Sequence, residues 1–346
     1  MEKLIRIGMD TSKSVFQLHG IDAGEQPALR RQLRRGQVVP FFSKLAPTVV
    51  AIEACGSAHY WARTLKGLGH DVVLIAPQRV KPYVPRNKND KRDAEGLCEA
   101  MSRPHMTFVA AKAPEEQAAL MLAGMRERLV KTRTQVSNAI RSYAAEFGLI
   151  APKGLDKIEP LLLRATADER LPELARRLFA LHGREYARLQ GEIRELEAML
   201  MTWHRANPDS RNLAEIPGIG PVAGARLAMK KTDAMACKSA RYYAAWLGLT
   251  PKDHSTAGKY RLGGITRAGD PTLRSMLVEG AMAVIGQAER NPAKASPWLL
   301  ALLKRKDKKP VAVALANKNA RIAWKLMRTG ERYNPHHRTL AKAIAA

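Results

Sequence analysis

Cysteine is scarce in this chain: Cys55, Cys98 and Cys237 are the only three among 346 residues, and no two form a Cys-x-x-Cys pair. So sparse a set indicates neither a disulfide framework nor a zinc site. Long apolar runs are missing too. A membrane-spanning helix needs about 18 or more consecutive apolar residues, and a surface-bound helix needs a basic amphipathic face with aromatic anchors. The sequence offers neither. The opening segment MEKLIRIGMD meets Asp10 too early to hold the apolar centre of a signal peptide. These absences lead to the expectation of a cytoplasmic protein in a reducing compartment, with no membrane partner. Acidic residues are also in short supply: 32 Asp and Glu face 58 Lys and Arg, a formal charge of +26. A surface of that sign repels itself and is stabilised by a polyanion, of which nucleic acid is the usual one.

A chain of this length accommodates two or three domains, and its 46% hydrophobic content is ordinary for a globular interior. Three regions separate by pattern. In residues 1–110, short apolar runs at 4–9, 15–21, 49–52 and 72–75 have strand character, and Ala58 to Leu68 has helical spacing after Gly56-Ser57. Strands alternating with helices predict an α/β sheet covered by helices. In residues 111–206 the strand signal disappears. Leu189, Ile193, Leu196, Leu200 and Trp203 step by four and three, the spacing of a coiled-coil seam. Met125, Leu129, Val136, Ile140, Tyr143 and Phe147 form a looser apolar series, so the region reads as an antiparallel helical arm, packed within the chain or against a second one. In residues 207–346 short helices alternate with Gly-rich turns, and the tail is basic.

Four acids of the first region stand where chemistry can use them. Asp10 ends the first apolar run and Glu53 the third, while Asp90 and Asp93 sit three apart at the start of a predicted helix. Residues i and i+3 share a helix face, so one helix can present both carboxylates to a site completed by Asp10 and Glu53 from adjacent strands. Each acid alone has an ordinary explanation, such as a turn residue after a strand or a helix-capping pair. As a set they are different. Two carboxylates about 4 Å apart repel by roughly 1 kcal/mol in water and about 4 kcal/mol near a protein surface, so a group of four calls for cations. Mg²⁺ takes hard oxygen ligands and bridges carboxylates to phosphate. Two such ions serve both the attacking and the leaving oxygen of a phosphoryl displacement. The expected cofactor is therefore a pair of Mg²⁺ ions, with Mn²⁺ as a substitute.

These motifs resemble a known family. Asp10-Thr-Ser-Lys13, Glu53-Ala-Cys-Gly56 and Lys88-Asn-Asp90-Lys-Arg-Asp93-Ala94 look like the three signatures of the DEDD transposases, insertion-sequence recombinases related to the Piv DNA invertases. The resemblance implies an RNase H-like, RuvC-type mixed sheet for the first region, with Asp10, Glu53, Asp90 and Asp93 as metal ligands. The expected architecture is thus α/β plus all-α: a RuvC-like catalytic domain, a helical coiled-coil arm, and a mostly helical C-terminal transposase domain.

In the third region, Ile216-Pro-Gly-Ile-Gly220-Pro-Val-Ala-Gly reads as a helix-hairpin-helix turn. Gly218 and Gly220 would let the backbone approach a phosphate ahead of a helix N-terminus. Further on, Gly-Leu-Thr-Pro251 leads into a Gly-rich polar loop carrying Lys259, Arg261 and Arg267, closed by Gly269 and Leu273-Arg274. Taken as residues, Ser255 is either a loop serine or, beside His254, an activated nucleophile, since adjacency in sequence does not establish geometry. The loop resembles that of the same family, which implies a serine nucleophile forming a phosphoserine link to DNA. This chain reads Ser255-Thr256-Ala257-Gly258 where the family often has Ser-Ser-Gly or Ser-Gly, so Ser255 and Thr256 both remain candidates, Ser255 first. The resemblance also implies double-stranded target and donor DNA, a noncoding bridge RNA that selects both, and a homotetramer whose active sites combine carboxylates of one subunit with the serine of another. Two other readings fit the residues: a nuclease using water at the same metal site, and a non-catalytic architectural DNA-binding protein.

Basic side chains mark an expected DNA path. Lys13, Lys88 and Arg92 crowd the carboxylates, with Arg79, Lys81, Arg86 and Lys91 around them. Lys304 to Lys309 form a second block, and Lys318, Arg321, Lys325 and Arg328 recur at helical spacing. If roughly six to ten of these cations meet phosphates, DNA affinity falls by about 10³ to 10⁵ between about 50 and 200 mM salt. A salt titration of duplex binding measures the slope, and a flat response contradicts the charge argument.

Overall fold

The computed structural model describes residues 4–84 and 89–335. The chain divides into two compact units, Met1–Gln117 with Thr232–Lys238, and Ala118–Lys231 with Ser239–Ala346.

The first unit is built on β1 (Arg6–Thr11), β2 (Val15–Ile21), β3 (Pro27–Arg34), helix α1 (Arg35–Phe42), β4 (Val49–Glu53), α2 (Ala58–Gly67), β5 (Asp71–Ile75), the short α3 (Pro77–Val80), α4 (Asp90–Met101) and β6 (Phe108–Val109). The sheet order is β3-β2-β1-β4-β5-β6. β1, β4 and β5 run parallel, whereas β2, β3 and β6 pair antiparallel with their neighbours. This mixed sheet is consistent with the RNase H-like arrangement expected from the sequence. Side chains alternate across a strand, and both faces are covered. Ile7, Met9, Val50, Ile52 and Leu74 point into a core with Trp61 and Leu65 of α2. Ala51 and Ile75 point the other way, onto Leu97 and Ala100 of α4. β3 was not expected. It carries Arg30, Arg31 and Arg34 and is mostly exposed, so no apolar alternation announces it; charged side chains are the usual protection of a sheet edge.

Two glycine contacts set how close α4 comes. A Cβ on Gly8 would lie 2.0 Å from the Ala94 carbonyl oxygen and 2.7 Å from the Cys98 nitrogen. Only hydrogen fits there, so α4 rests directly on the backbone of β1. The segment 232–238 returns to this unit through a buried ion pair: Lys112 Nζ lies 2.7 Å from the Asp233 carboxylate. The Lys112 N–H donates to His59 Nδ1 at 3.2 Å, and the Thr232 hydroxyl donates to Glu116. Burial, and then the nearby Lys112 charge, push the His59 imidazole below its ordinary pKa.

The second unit is dominated by helices: most of α5 (Pro114–Glu146), then α6 (Ile158–Ala167), α7 (Glu173–Ala206), α8 (Pro208–Ala214), α9 (Pro221–Met229), the start of α10 (Lys231–Met235) and α11 (Ala240–Trp246). A hairpin of β7 (Pro251–Asp253) and β8 (Leu262–Ile265) interrupts them before α12 (Pro271–Arg290), α13 (Pro297–Leu303) and α14 (Lys308–Thr329). α5 and α7 run antiparallel: Arg126 bonds Glu197 at one end, and Phe147 meets Phe179 at the other. The series Leu189, Ile193 and Leu196 is buried in this pairing with Leu129, Val136, Ile140 and α6. Met125, Tyr143 and Phe147 are instead exposed, and Ala144 takes the inward position. A straight helix drifts by about 20° per heptad against a 3.5-residue repeat, which rotates Tyr143 off the seam. The C-terminal helices are longer than the short ones expected: α12 has 20 residues and α14 has 22. Among the described residues, no helix is long and apolar enough to cross a membrane.

Gly8→Ala should therefore separate α4 from β1 and destabilise the fold by about 1–3 kcal/mol, the usual cost of overpacking a tight contact. A thermal melt beside the parent protein reads this as a lower Tm. An unchanged Tm contradicts the contact.

Candidate metal centre

The alternation that buries Met9 and Ile52 on one face of the sheet puts Gly8, Asp10, Ala51 and Glu53 on the other, the face that α4 covers. β1 and β4 pair in parallel with Met9 opposite Ile52. One residue further, Asp10 and Glu53 stand side by side at the carboxyl ends of neighbouring strands, where open α/β sheets place their ligands. Thr11 and Cys55 lie 3.2 Å apart, hydroxyl to thiol, across the same strand ends.

α4 supplies the other two acids. Its N-cap Asn89 accepts the Arg92 N–H at 3.0 Å, which fixes the first turn and with it Asp90 and Asp93 on one face. Because Gly8 admits the helix so closely, this turn reaches the end of β1. Asp10, Asp90 and Asp93 each offer a carboxylate oxygen within 4.8 Å of the others. Asp93 is buried, Asp10 half-buried and Asp90 exposed. The Asp10 carboxyl is pushed up to about 6, first by burial, then by the charges of Asp90, Asp93 and Glu53. A cluster of hard oxygen donors that repel one another suits Mg²⁺ or Mn²⁺, and three carboxylates with a fourth beside them are enough for shared ions. The donor set fits the divalent metal that the residues led us to expect.

The remaining candidates distribute as follows. Lys13 is exposed in the turn after β1, and Arg92 is half-buried in the first turn of α4. Lys88 lies outside the described residues. Gly218 has φ +87° and a Cβ there would meet the Gly280 carbonyl of α12 at 2.8 Å, so its smallness serves helix packing. Asn319, nearly fully buried, donates to the Pro217 carbonyl at 2.8 Å and holds the same turn. Gly220 caps α9 with open space around its α-carbon.

Where a loop was expected, Ser255 sits in the β7–β8 hairpin. Ala257 and Gly258 both have positive φ, the mark of a two-residue hairpin turn, and Thr256 bridges to Lys259. The Ser255 N–H donates to the Asp253 carboxylate at 2.9 Å, and the Arg261 N–H donates to Ser255 Oγ at 3.1 Å. Interaction with Ser255, first its side chain and then its backbone, holds the Asp253 carboxyl below its usual range. Lys259, Arg261 and Arg267 are exposed around it. The base of the hairpin is closed backbone to backbone, since a Cβ on Gly269 would lie 1.9 Å from the Trp246 carbonyl. Sequence reading passed over Asp270. It caps α12 by accepting the Thr272 and Leu273 N–H groups, and it pairs with Lys230 at 2.8 Å and Arg226 at 3.5 Å. Arg226 also reaches Glu127 at 3.1 Å. The signal available was the Asp-Pro pair, an N-cap followed by proline at the first helical position.

Comparison with known proteins gives two family matches. Residues 7–147 match a transposase model of the IS110 DEDD group, and residues 210–296 match the Transposase IS116/IS110/IS902 family. The chain is 60% identical over 334 residues to a putative transposase, y4pF/y4sB, of Sinorhizobium fredii, covering 96% of this chain and 86% of that one. It is 38% identical to the transposase for insertion sequence element IS1328 of Yersinia enterocolitica, over 94% of this chain and 97% of the relative. It is 37% identical to the transposase for insertion sequence element IS1111A of Coxiella burnetii, over 96% and 92%.

The raised Asp10 carboxyl yields a pH-dependent expectation. A folded-state pKa above the unfolded value means that this group favours the fold in acid and loses that contribution as pH rises through about 6. Without metal, Asp10→Asn should stabilise the protein at pH 7 but not near pH 4. The shift of about two pK units, discounted for a half-exposed group, corresponds to about 1 kcal/mol, or about 2–4 °C. Adding Mg²⁺ should raise the Tm of the parent and not of the variant. Equal Mg²⁺ responses would contradict a shared cation at this cluster.

Proposed function

This chain belongs to the IS116/IS110/IS902 family of DEDD transposases, and from that premise we propose how its own residues cut and rejoin DNA. The protein is a DNA transposase of the insertion-sequence type. Asp10, Glu53, Asp90 and Asp93 would hold two Mg²⁺ ions, with Mn²⁺ able to substitute. When bound, the ions supply charge neutralisation at the scissile phosphate and stabilise its attacking and leaving oxygens. What supports this role is the approach of three of these carboxylates to within 4.8 Å, drawn from a strand end and a helix that are 80 residues apart in sequence (90 − 10).

Ser255 is the nucleophile. The Arg261 N–H orients its hydroxyl oxygen, and Asp253 holds its backbone N–H. The Ser255 hydroxyl gives up its proton as a new bond forms from Oγ to phosphorus, the bond from phosphorus to the leaving sugar oxygen breaks, and that oxygen takes up a proton in turn, so none is gained or lost. The phosphoserine retains the energy of the linkage, so a DNA hydroxyl can displace the serine and rejoin the strands without ATP. Lys13, Lys88, Arg92, Lys259, Arg261 and Arg267 contact phosphates, and Gly220 opens a helix N-terminus to one; Gly218 shapes the same helix-hairpin-helix turn. Such contacts position DNA without reading its sequence.

Three functional regions follow: a RuvC-like catalytic region at 1–110, a coiled-coil arm at 111–206 and a transposase region with the serine at 207–346. By resemblance to the family, a bridge RNA encoded by the element selects target and donor DNA. The arm joins subunits into a tetramer in which one subunit's carboxylates work with another's serine, and the cytoplasmic protein associates with the nucleoid through its DNA.

Ser255→Ala should abolish a covalent protein–DNA adduct while leaving Mg²⁺-dependent stabilisation intact. Denaturing electrophoresis of the reaction reads the adduct. Full recombination by Ser255→Ala overturns the assignment and moves the test to Thr256→Ala. Cleavage without any adduct in the parent protein favours a nuclease that uses water.

A further inference from the structure

Tyr260 follows the turn of the β7–β8 hairpin and is 94% exposed. No core claims this ring. Its place in the register is defined: Thr256 bridges Lys259, the His254 N–H donates to the Arg261 carbonyl at 2.9 Å, and Asp253 pairs with Leu262. Ser255 therefore stands directly opposite Tyr260. Thr256 and Lys259 exchange both backbone bonds, which makes Ser255 and Tyr260 a non-hydrogen-bonded pair, with Cα atoms about 4.5 Å apart and side chains on one face.

The same alternation sorts the whole ribbon. Asp253, Ser255, Tyr260 and Leu262 share one face, and Leu262 is 64% exposed. His254, Thr256, Lys259 and Arg261 share the other. A hydroxyl flanked by a bare aromatic ring, on a thin ribbon whose reverse is cationic, has the makings of a nucleic-acid platform. Aromatic rings stack on bases of any sequence, and flexible cations gather the phosphates on either side. In an intact duplex both faces of every base are covered by neighbours, so a ring can stack only on a base that has left its partner.

We propose that Tyr260 stacks on an unstacked DNA base next to the phosphate that Ser255 attacks, and so positions the strand being cut. This rests on Ser255 as the nucleophile. The stacking itself touches a base and is measurable without the chemistry.

The test uses the full chain with a mixed-sequence single-stranded DNA oligonucleotide carrying 5-iododeoxyuridine, irradiated and mapped by peptide mass spectrometry, together with binding titrations of the unmodified strand. The expected crosslink falls on Tyr260. Tyr260→Ala should bind about 5- to 150-fold more weakly, the range for losing one stacked base, while Tyr260→Phe binds like the parent. Because the ring is exposed, Tyr260→Ala removes no packing, and an unchanged melting curve verifies this. Ser255→Ala should keep both crosslink and affinity. A crosslink that persists beside fully active Ser255→Ala sinks the nucleophile and the positioning role assigned to Tyr260, but leaves the stacking. Parental DNA affinity in Tyr260→Ala overturns the proposal. So does a loss confined to an RNA strand of the same sequence, which assigns the ring to RNA, or a loss of self-association in Tyr260→Ala, which assigns it to a second copy of the chain.

Discussion

Like charges must be held together against their repulsion before this protein can place a cation between them. Asp10 carries the strain most plainly, with its carboxyl raised to about 6 by burial and by Asp90, Asp93 and Glu53. The work is done beneath them, where the bare backbone at Gly8 lets α4 settle against β1 and the parallel pairing of β1 and β4 aligns two strand ends. The apolar packing on both faces of the sheet supplies the free energy that offsets the repulsion. The acids sit where the sheet puts them, at some cost in the metal-free state.

Much of the first unit was legible because its signals are local. Short apolar runs announced β1, β2, β4 and β5, and helical spacing announced α2. The acids stood out because each ended such a run or opened a helix. β3 escaped because an edge strand faces water and its sequence, Pro-Ala-Leu-Arg-Arg-Gln-Leu-Arg, shows no buried stripe. Asp270 escaped for a different reason. Its cap can be read from one segment, but its partners Lys230 and Arg226 are 40 and 44 residues upstream (270 − 230 and 270 − 226), and only folding reveals them.

The serine segment shows how a fold can sharpen a motif. Read as a chain it is a polar, Gly-rich stretch with Ser255 in an unspecified position. The pairing of Thr256 with Lys259 and the positive φ values at Ala257 and Gly258 turn it into a ribbon with two distinct faces. The glycines then separate into types. Gly258 makes the turn, whereas Gly269 and Gly218 are small because another peptide group passes against them. Glycine content alone could not have told a phosphate cradle from a packing contact.

The ion pair between Lys112 and Asp233 has a consequence for anyone dividing the protein. The sheet-bearing unit is not a continuous stretch of chain, since Thr232–Lys238 belongs to it. A fragment stopped at residue 117 would keep an interior ammonium group and discard the carboxylate that neutralises it. A lone charge in such a place costs several kcal/mol, a large part of what keeps a small domain folded. Truncated copies of the gene would then encode failed proteins rather than free-standing carboxylate domains, and an excised version of this unit would need the short return segment grafted back onto it.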